Sequence, residues 1–119
     1  MTRAVYAALS TLRVPIQQAE YDLHLLVAQC LAEHGLPCAH EVRLAPRCRI
    51  DLMCGGVGIE CKRGKPERKT LLAQLTRYAA CEQVEALIVV TERGVALPDR
   101  ILDKPVQMLC LNRLWGIAL

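Results

Sequence analysis

The sequence predicts an α/β domain with a central mixed sheet flanked by helices. Three observations predict it. Apolar residues recur at helical spacing between Pro15 and His34. Two runs that alternate with period two flank the doublet Gly55-Gly56. A second helical stretch then leads into ALIVVT, Ala86 to Thr91, a continuous apolar run suited to a buried central strand. The resulting order is α-β-β-β-α-β, followed by a last β. A meander before a crossover helix makes a mixed sheet. At 119 residues the chain is one domain, 1–119, large enough for a core without staples.

Taken in order, Ala4 to Leu12 reads equally as a short helix or an arm. Pro15 suits a first helical turn, and Ala19, Leu23, Leu26, Val27, Cys30 and Leu31 keep the helical period until Gly35 and Pro37 stop it. His40 to Ala45 alternates weakly and Pro46 breaks it. Cys48 to Cys54 alternates clearly, with Ile50, Leu52 and Cys54 against Arg49, Asp51 and Met53. Val57 to Lys62 sets Val57, Ile59 and Cys61 against Gly58, Glu60 and Lys62. Arg63 to Lys69 is a basic loop with Gly and Pro, and Thr70 to Gln83 is a helix. Gly94 to Pro105 is irregular, Val106 to Leu111 is a last strand, and the tail through Trp115 is apolar enough to pack.

Composition bounds the function classes. Hydrophobic residues make up 53% of the chain and Phe is absent, so the core is aliphatic and disorder is not expected. The formal charge of +3 is compatible with a nucleic-acid partner without requiring one. The seven cysteines are odd in number and form no CxxC, so reduced thiols in the cytoplasm are expected. A zinc site is not expected, because their spacings match no ligand pattern. There is no signal-peptide pattern and no apolar stretch of about 18 residues, so neither export nor a membrane span is expected.

The doublet Gly55-Gly56 reads as a two-residue hairpin turn needing positive φ. That register pairs Cys54 with Val57, Leu52 with Ile59, Asp51 with Glu60 and Arg49 with Lys62. Asp51 and Glu60 then become cross-strand neighbours about 5 Å apart, with Lys62 on the same face. Opposed carboxylates repel unless a cation compensates them. Mg²⁺ or Mn²⁺ would do so while keeping open positions for phosphate oxygens. It would also lower the pKa of a bound water, with Lys62 orienting that water or stabilising charge on phosphorus. The bland alternative is a solvated strand face with a Glu/Lys pair.

The residues Arg49-Ile50-Asp51, then Ile59-Glu60-Cys61-Lys62, then Gln74 to Tyr78 resemble the PD-(D/E)xK nuclease superfamily. The resemblance covers roughly residues 17 to 91, in the order of that family's restriction-endonuclease-like αβββαβ core. Ile50 stands where the family name has Pro. Gln74 and Tyr78 are similar to the QxxxY motif of lambda-exonuclease-like and RecB-type members, and the small size also resembles virus-type replication-repair nucleases. The resemblance implies a metal-dependent deoxyribonuclease, an endonuclease or an exonuclease, in a bacterial or phage-infected cell. It implies that Asp51, Glu60, the Cys61 carbonyl and Glu20 hold Mg²⁺ or Mn²⁺, with Lys62 as the catalytic lysine. Glu41 is a rival to Glu20.

Gln74 and Tyr78 lie at i and i+4, so one helical face carries both. They are expected near the hairpin, in contact with substrate, although a core Tyr beside a solvated Gln has the same spacing. Arg49, Arg63, Lys65, Arg68, Lys69 and Arg77, with Arg47, surround the site in sequence and are the candidates for binding DNA phosphates. Such charge runs are more often solvated loops. His24, His34 and His40 are scattered, and surface or helix-end roles are expected for each; Trp115 is expected to anchor packing. The partners expected are DNA and a second copy of the chain, a homodimer first. The competing class is a catalytically silent nuclease-like fold that binds nucleic acid or protein, which has no need of opposed carboxylates.

Overall fold

The structure, a computed structural model, describes residues 1–12 and 20–114. Helix α1 is Thr2–Leu9, α2 is Glu20–Glu33, α3 is Arg68–Ala79 and α4 is Leu111–Leu114. The strands are β1 Ala39–Ala45, β2 Cys48–Cys54, β3 Val57–Lys62, β4 Ala86–Thr91, β5 Arg100–Ile101 and β6 Lys104–Cys110. They form one six-stranded sheet in the order β1-β2-β3-β4-β6-β5. β1, β2 and β3 make an antiparallel meander, β3, β4 and β6 run parallel, and β5 returns antiparallel to β6. The α/β class and the mixed sheet match the expectation.

Each face of the sheet has its own core. Val5, Ala8 and Leu9 of α1 and Leu23, Val27 and Leu31 of α2 pack on Leu52, Cys54, Val57, Ile59, Cys61, Ile88 and Val90. Leu71, Leu75 and Tyr78 of α3 pack on Ile50, Met53, Leu87 and Val89. Strand β4 feeds both cores alternately, and all six of its residues are buried, as a continuous apolar run should be. The Ala4–Leu12 stretch is helical through Leu9, because the apolar side chains of α1 fall on one stripe over the sheet.

The limits of β2, β3 and β4 agree with the sequence reading, and others differ. The predicted start of a helix at Pro15 lies outside the described residues, as does Trp115. Helix α3 spans 68–79 rather than 70–83. It starts early because the Leu71 N–H already bonds the Glu67 carbonyl. It stops early because the chain turns to bury Val84 and to carry the Glu85 N–H onto the Gly56 carbonyl at 2.7 Å. The segment expected to be irregular contains β5 and the first residues of β6, and Leu111 opens α4.

The hairpin turns on one left-handed glycine, not two. Gly55 has φ +59°, whereas Gly56 has no left-handed φ, and a Cβ there would meet only the flexible side chain of exposed Glu85. The register holds for Cys54–Val57, Met53–Gly58 and Leu52–Ile59. Beyond Leu52 the strand alternation breaks. Ile50 packs with Met53 beneath α3, not with Leu52 and Cys54 on the other face. The pairs His40–Leu52 and Val42–Ile50 bracket Glu41 and Asp51, and Glu41 has a left-handed φ of 46°. The pleat changes face at this distortion. Gly58 leaves the space that receives Ile50, since a Cβ on Gly58 would come within 2.6 Å of Ile50 Cδ1.

Candidate active site

Glu60 is held from the α3 side of the sheet. Parallel pairing of Glu60 with Val89 puts its side chain on the face that α3 covers. Gln74 Nε2 donates to Glu60 Oε2 at 3.0 Å and to the Tyr78 hydroxyl at 3.0 Å. The Tyr78 hydroxyl reaches Glu60 Oε1 at 3.0 Å and the Arg49 carbonyl at 2.9 Å. Lys62 Nζ lies 3.2 Å from Glu60 Oε2, on the face the alternation predicts. The i, i+4 spacing therefore does bring Gln74 and Tyr78 to the hairpin, but their partner is Glu60 itself, and Tyr78 is buried.

The electrostatics of Glu60 follow from this setting. Its carboxyl is pushed up to about 7, first by burial and second by the Asp51 charge, against the opposing pull of Lys62 and Tyr78. Burial, then the charge of Glu60, holds the Tyr78 hydroxyl above the usual tyrosine range, so it stays a proton donor. Glu60 is thus a buried carboxyl whose charged form is disfavoured first by lost solvation and then by its acidic neighbour.

Asp51 and Glu60 are not a ladder pair on one face. The β2–β3 ladder stops at Leu52–Ile59, and the Asp51 side chain takes over as acceptor for the Cys61 N–H at 2.8 Å. Asp51 Oδ2 also lies 3.0 Å from His24 Nε2, which comes from α2. The two acids thus approach the parted strand ends from opposite sides of the sheet, Asp51 beside α2 and Glu60 beside α3. They still influence each other, since Asp51 is the second cause of the raised Glu60 carboxyl. The physical reason is the changed pleat at Asp51, which strict alternation does not anticipate.

The basic candidates divide. Arg63 pairs with Glu92 at 3.2 Å, and Arg68 Nε donates to the Ala96 carbonyl at 2.7 Å. Both therefore pin the loop after β3 to the segment after β4. Gly64 assists: its N–H bonds Glu92 Oε1 at 2.6 Å and its carbonyl accepts from buried Thr91 Oγ1 at 3.0 Å. Arg49, Lys65, Lys69 and Arg77, with Arg47, are exposed. Lys62, Arg63, Glu67, Thr70 and Gln74 line a cavity of about 300 Å³ beside the Glu60 carboxylate. A larger cavity of about 580 Å³ lies between Tyr6, residues 94–99 and β6, and none of the candidate residues lines it.

Glu20 is the first described residue of α2, and its side chain lies outside the described residues. Glu41 is exposed beside Asp51 in β1. His34 has the helix-end role expected of it, with Nδ1 2.8 Å from the Cys30 carbonyl. His24 departs from expectation: it is neither at the surface nor at a helix end, and its side chain is only 12% exposed. Its one sequence signal is its helical spacing from Val27 and Leu31, which puts it near the stripe that faces the sheet.

Carboxylate and carbonyl oxygens are the donor type that a hard divalent cation takes. Asp51 and Glu60 offer carboxylate oxygens and the Cys61 carbonyl follows Glu60 in sequence, while the Glu60 carboxyl is raised first by burial and then by the Asp51 charge. All the described cysteines are free thiols. Among the described residues no helix is long and apolar enough to cross a membrane. No protein-family model, curated protein or solved structure matches the chain.

Proposed function

We propose that the chain is a metal-dependent deoxyribonuclease that hydrolyses DNA phosphodiester bonds at Asp51, Glu60 and Lys62. The carrying observation is the fixing of Glu60 by Gln74, Tyr78 and Lys62 while burial, and then the Asp51 charge, raise its carboxyl. Mg²⁺ or Mn²⁺ would be held by Asp51, Glu60 and the Cys61 carbonyl, with Glu20 as the further candidate. When bound, such an ion supplies charge stabilisation at the phosphate and a more acidic water.

The chain's own groups do the rest. Gln74 and Tyr78 fix the Glu60 rotamer, so the acid is preorganised rather than recruited. Lys62 is 25% exposed and lines the 300 Å³ cavity, where its ammonium can meet a phosphate oxygen or orient the attacking water. Arg49, Lys65, Lys69 and Arg77 are exposed cations for the DNA backbone. The domain measures only 35 × 32 × 24 Å, which leaves little surface to enclose a duplex. We therefore include a homodimer in the proposal, and a monomer by light scattering at working concentration would remove that part.

The test is cleavage of linear, circular, single-stranded and branched DNA with Mg²⁺, Mn²⁺ or EDTA, comparing wild type with Asp51→Ala and Lys62→Ala. Metal-dependent cleavage lost in both variants is expected. Cleavage that survives both substitutions sinks the assignment. Absence of cleavage on every substrate turns the reading to a binding module.

A further inference from the structure

On the α2 side of the sheet, away from the Glu60 clamp, three elements bring together three side chains of metal-ligating type. Helix α2 supplies His24, β2 supplies Asp51 and β3 supplies Cys61. An imidazole nitrogen, a carboxylate oxygen and the Cys61 sulfur lie within 4.8 Å of one another. His24 Nε2 and Asp51 Oδ2 are already 3.0 Å apart. Cys61 is fully buried, and the other two side chains are 12% and 19% exposed. Bonds of about 2.0–2.3 Å to a tetrahedral ion place its donors about 3.3–3.6 Å apart. The trio's limit of 4.8 Å exceeds that by about 1.2–1.5 Å.

We propose that His24, Asp51 and Cys61 form a second metal site, one that takes Zn²⁺ or a similar borderline transition dication. The donor set argues for this class of ion. A thiolate and an imidazole suit Zn²⁺, whereas Mg²⁺ takes oxygen donors and holds its waters. Three protein donors leave the fourth tetrahedral position for water or another ligand. Binding displaces the Cys61 thiol proton to solvent, and the sulfur electron pair forms the bond to the ion. The spacing rules for zinc motifs miss such a site because its ligands stand 27 and 10 residues apart on different elements.

The site does not depend on the nuclease reading, but the two share Asp51. An ion held by His24 and Cys61 draws the Asp51 carboxylate toward α2 and away from the Glu60 side. Zn²⁺ should therefore oppose any Mg²⁺-supported activity, while its own binding is measurable in a protein that cleaves nothing.

The experiment is titration of the reduced full chain with Co²⁺, read by absorption, followed by displacement with Zn²⁺. One ion per chain is expected, with the intense visible bands of four-coordinate Co²⁺ and a sulfur-to-cobalt charge-transfer band. Cys61→Ser should abolish the charge-transfer band. His24→Gln should keep the fold by circular dichroism and weaken binding by at least about tenfold, since even an outer hydrogen-bond partner of a ligand is worth that much. A charge-transfer band that survives Cys61→Ser assigns the ion to another cysteine and overturns the proposal. So does the absence of Co²⁺ binding to the wild-type chain, or unchanged affinity in folded His24→Gln.

Discussion

The Tyr78 hydroxyl, carried by α3, lies 3.0 Å from Oε1 of Glu60 on β3, and the same hydroxyl reaches the Arg49 carbonyl on β2. One phenol thus joins a helix to two strands at the point where those strands part. It accepts from Gln74 as well, so its hydrogen-bonding capacity is fully used.

Removing that hydroxyl takes away the one proton shared by the part-buried Arg49 carbonyl and the buried Glu60 Oε1. Tyr78→Phe is expected to lower the unfolding free energy by about 1–3 kcal/mol, the scale for orphaning buried polar groups. Urea melts of wild type and variant measure it. An unchanged midpoint would mean that the phenol only fills space.

The raised Glu60 carboxyl has a signed consequence for stability. Its folded value, about 7, lies above its usual 4.5, so the folded chain holds that proton more tightly than the unfolded one. The stabilisation is fully present below about pH 4.5 and is lost as pH rises through about 7. At about 1.4 kcal/mol per tenfold change in proton concentration, the loss is about 3 kcal/mol. Urea melts in EDTA across this range should show a decline that is absent in Glu60→Gln. Parallel curves for the two proteins would contradict it.

Two neighbouring glycines should answer differently to alanine. At Gly58 a methyl meets Ile50 Cδ1 at 2.6 Å and Leu87 Cδ2 at 3.0 Å, both inside the core. Gly58→Ala should therefore cost about 1–3 kcal/mol by overpacking. At Gly56 the obstacle is the side chain of exposed Glu85, which can swing aside. Gly56→Ala should stay within about 0.5 kcal/mol of wild type, and thermal melts of the pair check the contrast.

If exposed Lys65 and Lys69 contact DNA phosphates, removing both should flatten the salt dependence of binding. Each phosphate contact contributes about 0.9 to the slope of log K against log salt. Anisotropy titrations of Lys65→Ala/Lys69→Ala on duplex DNA should give a slope shallower by about 2. An unaltered slope would move the contact surface elsewhere.

Much of this arrangement was legible in the sequence because its causes are local. Alternation around Gly55-Gly56 gives the limits of β2 and β3 and three pairs of their register. The apolar run 86–91 gives the buried central strand. The i, i+4 spacing of Gln74 and Tyr78 gives their shared approach to Glu60. The rest depends on long-range geometry. Period two carries no mark of the distortion at Glu41 and Asp51, so it put Ile50 on the wrong face and made Asp51 a partner of Glu60. His24 meets Asp51 only because α2 crosses the sheet there, and helical spacing alone selects neither residue. The turn after α3 follows from burying Val84, which is a tertiary demand.

The substitution of an Asp51 carboxylate oxygen for a backbone carbonyl as the acceptor of the Cys61 N–H makes that one amide proton a sensor. In an ordinary ladder its protection from solvent would report strand separation. Here it reports where a single side chain is aimed. A cation, nucleic acid or mutation that pulls Asp51 aside should uncover the Cys61 amide and leave the Leu52–Ile59 rungs closed. Hydrogen exchange at one residue therefore follows occupancy of this part of the sheet, without a chromophore, a label or a turnover.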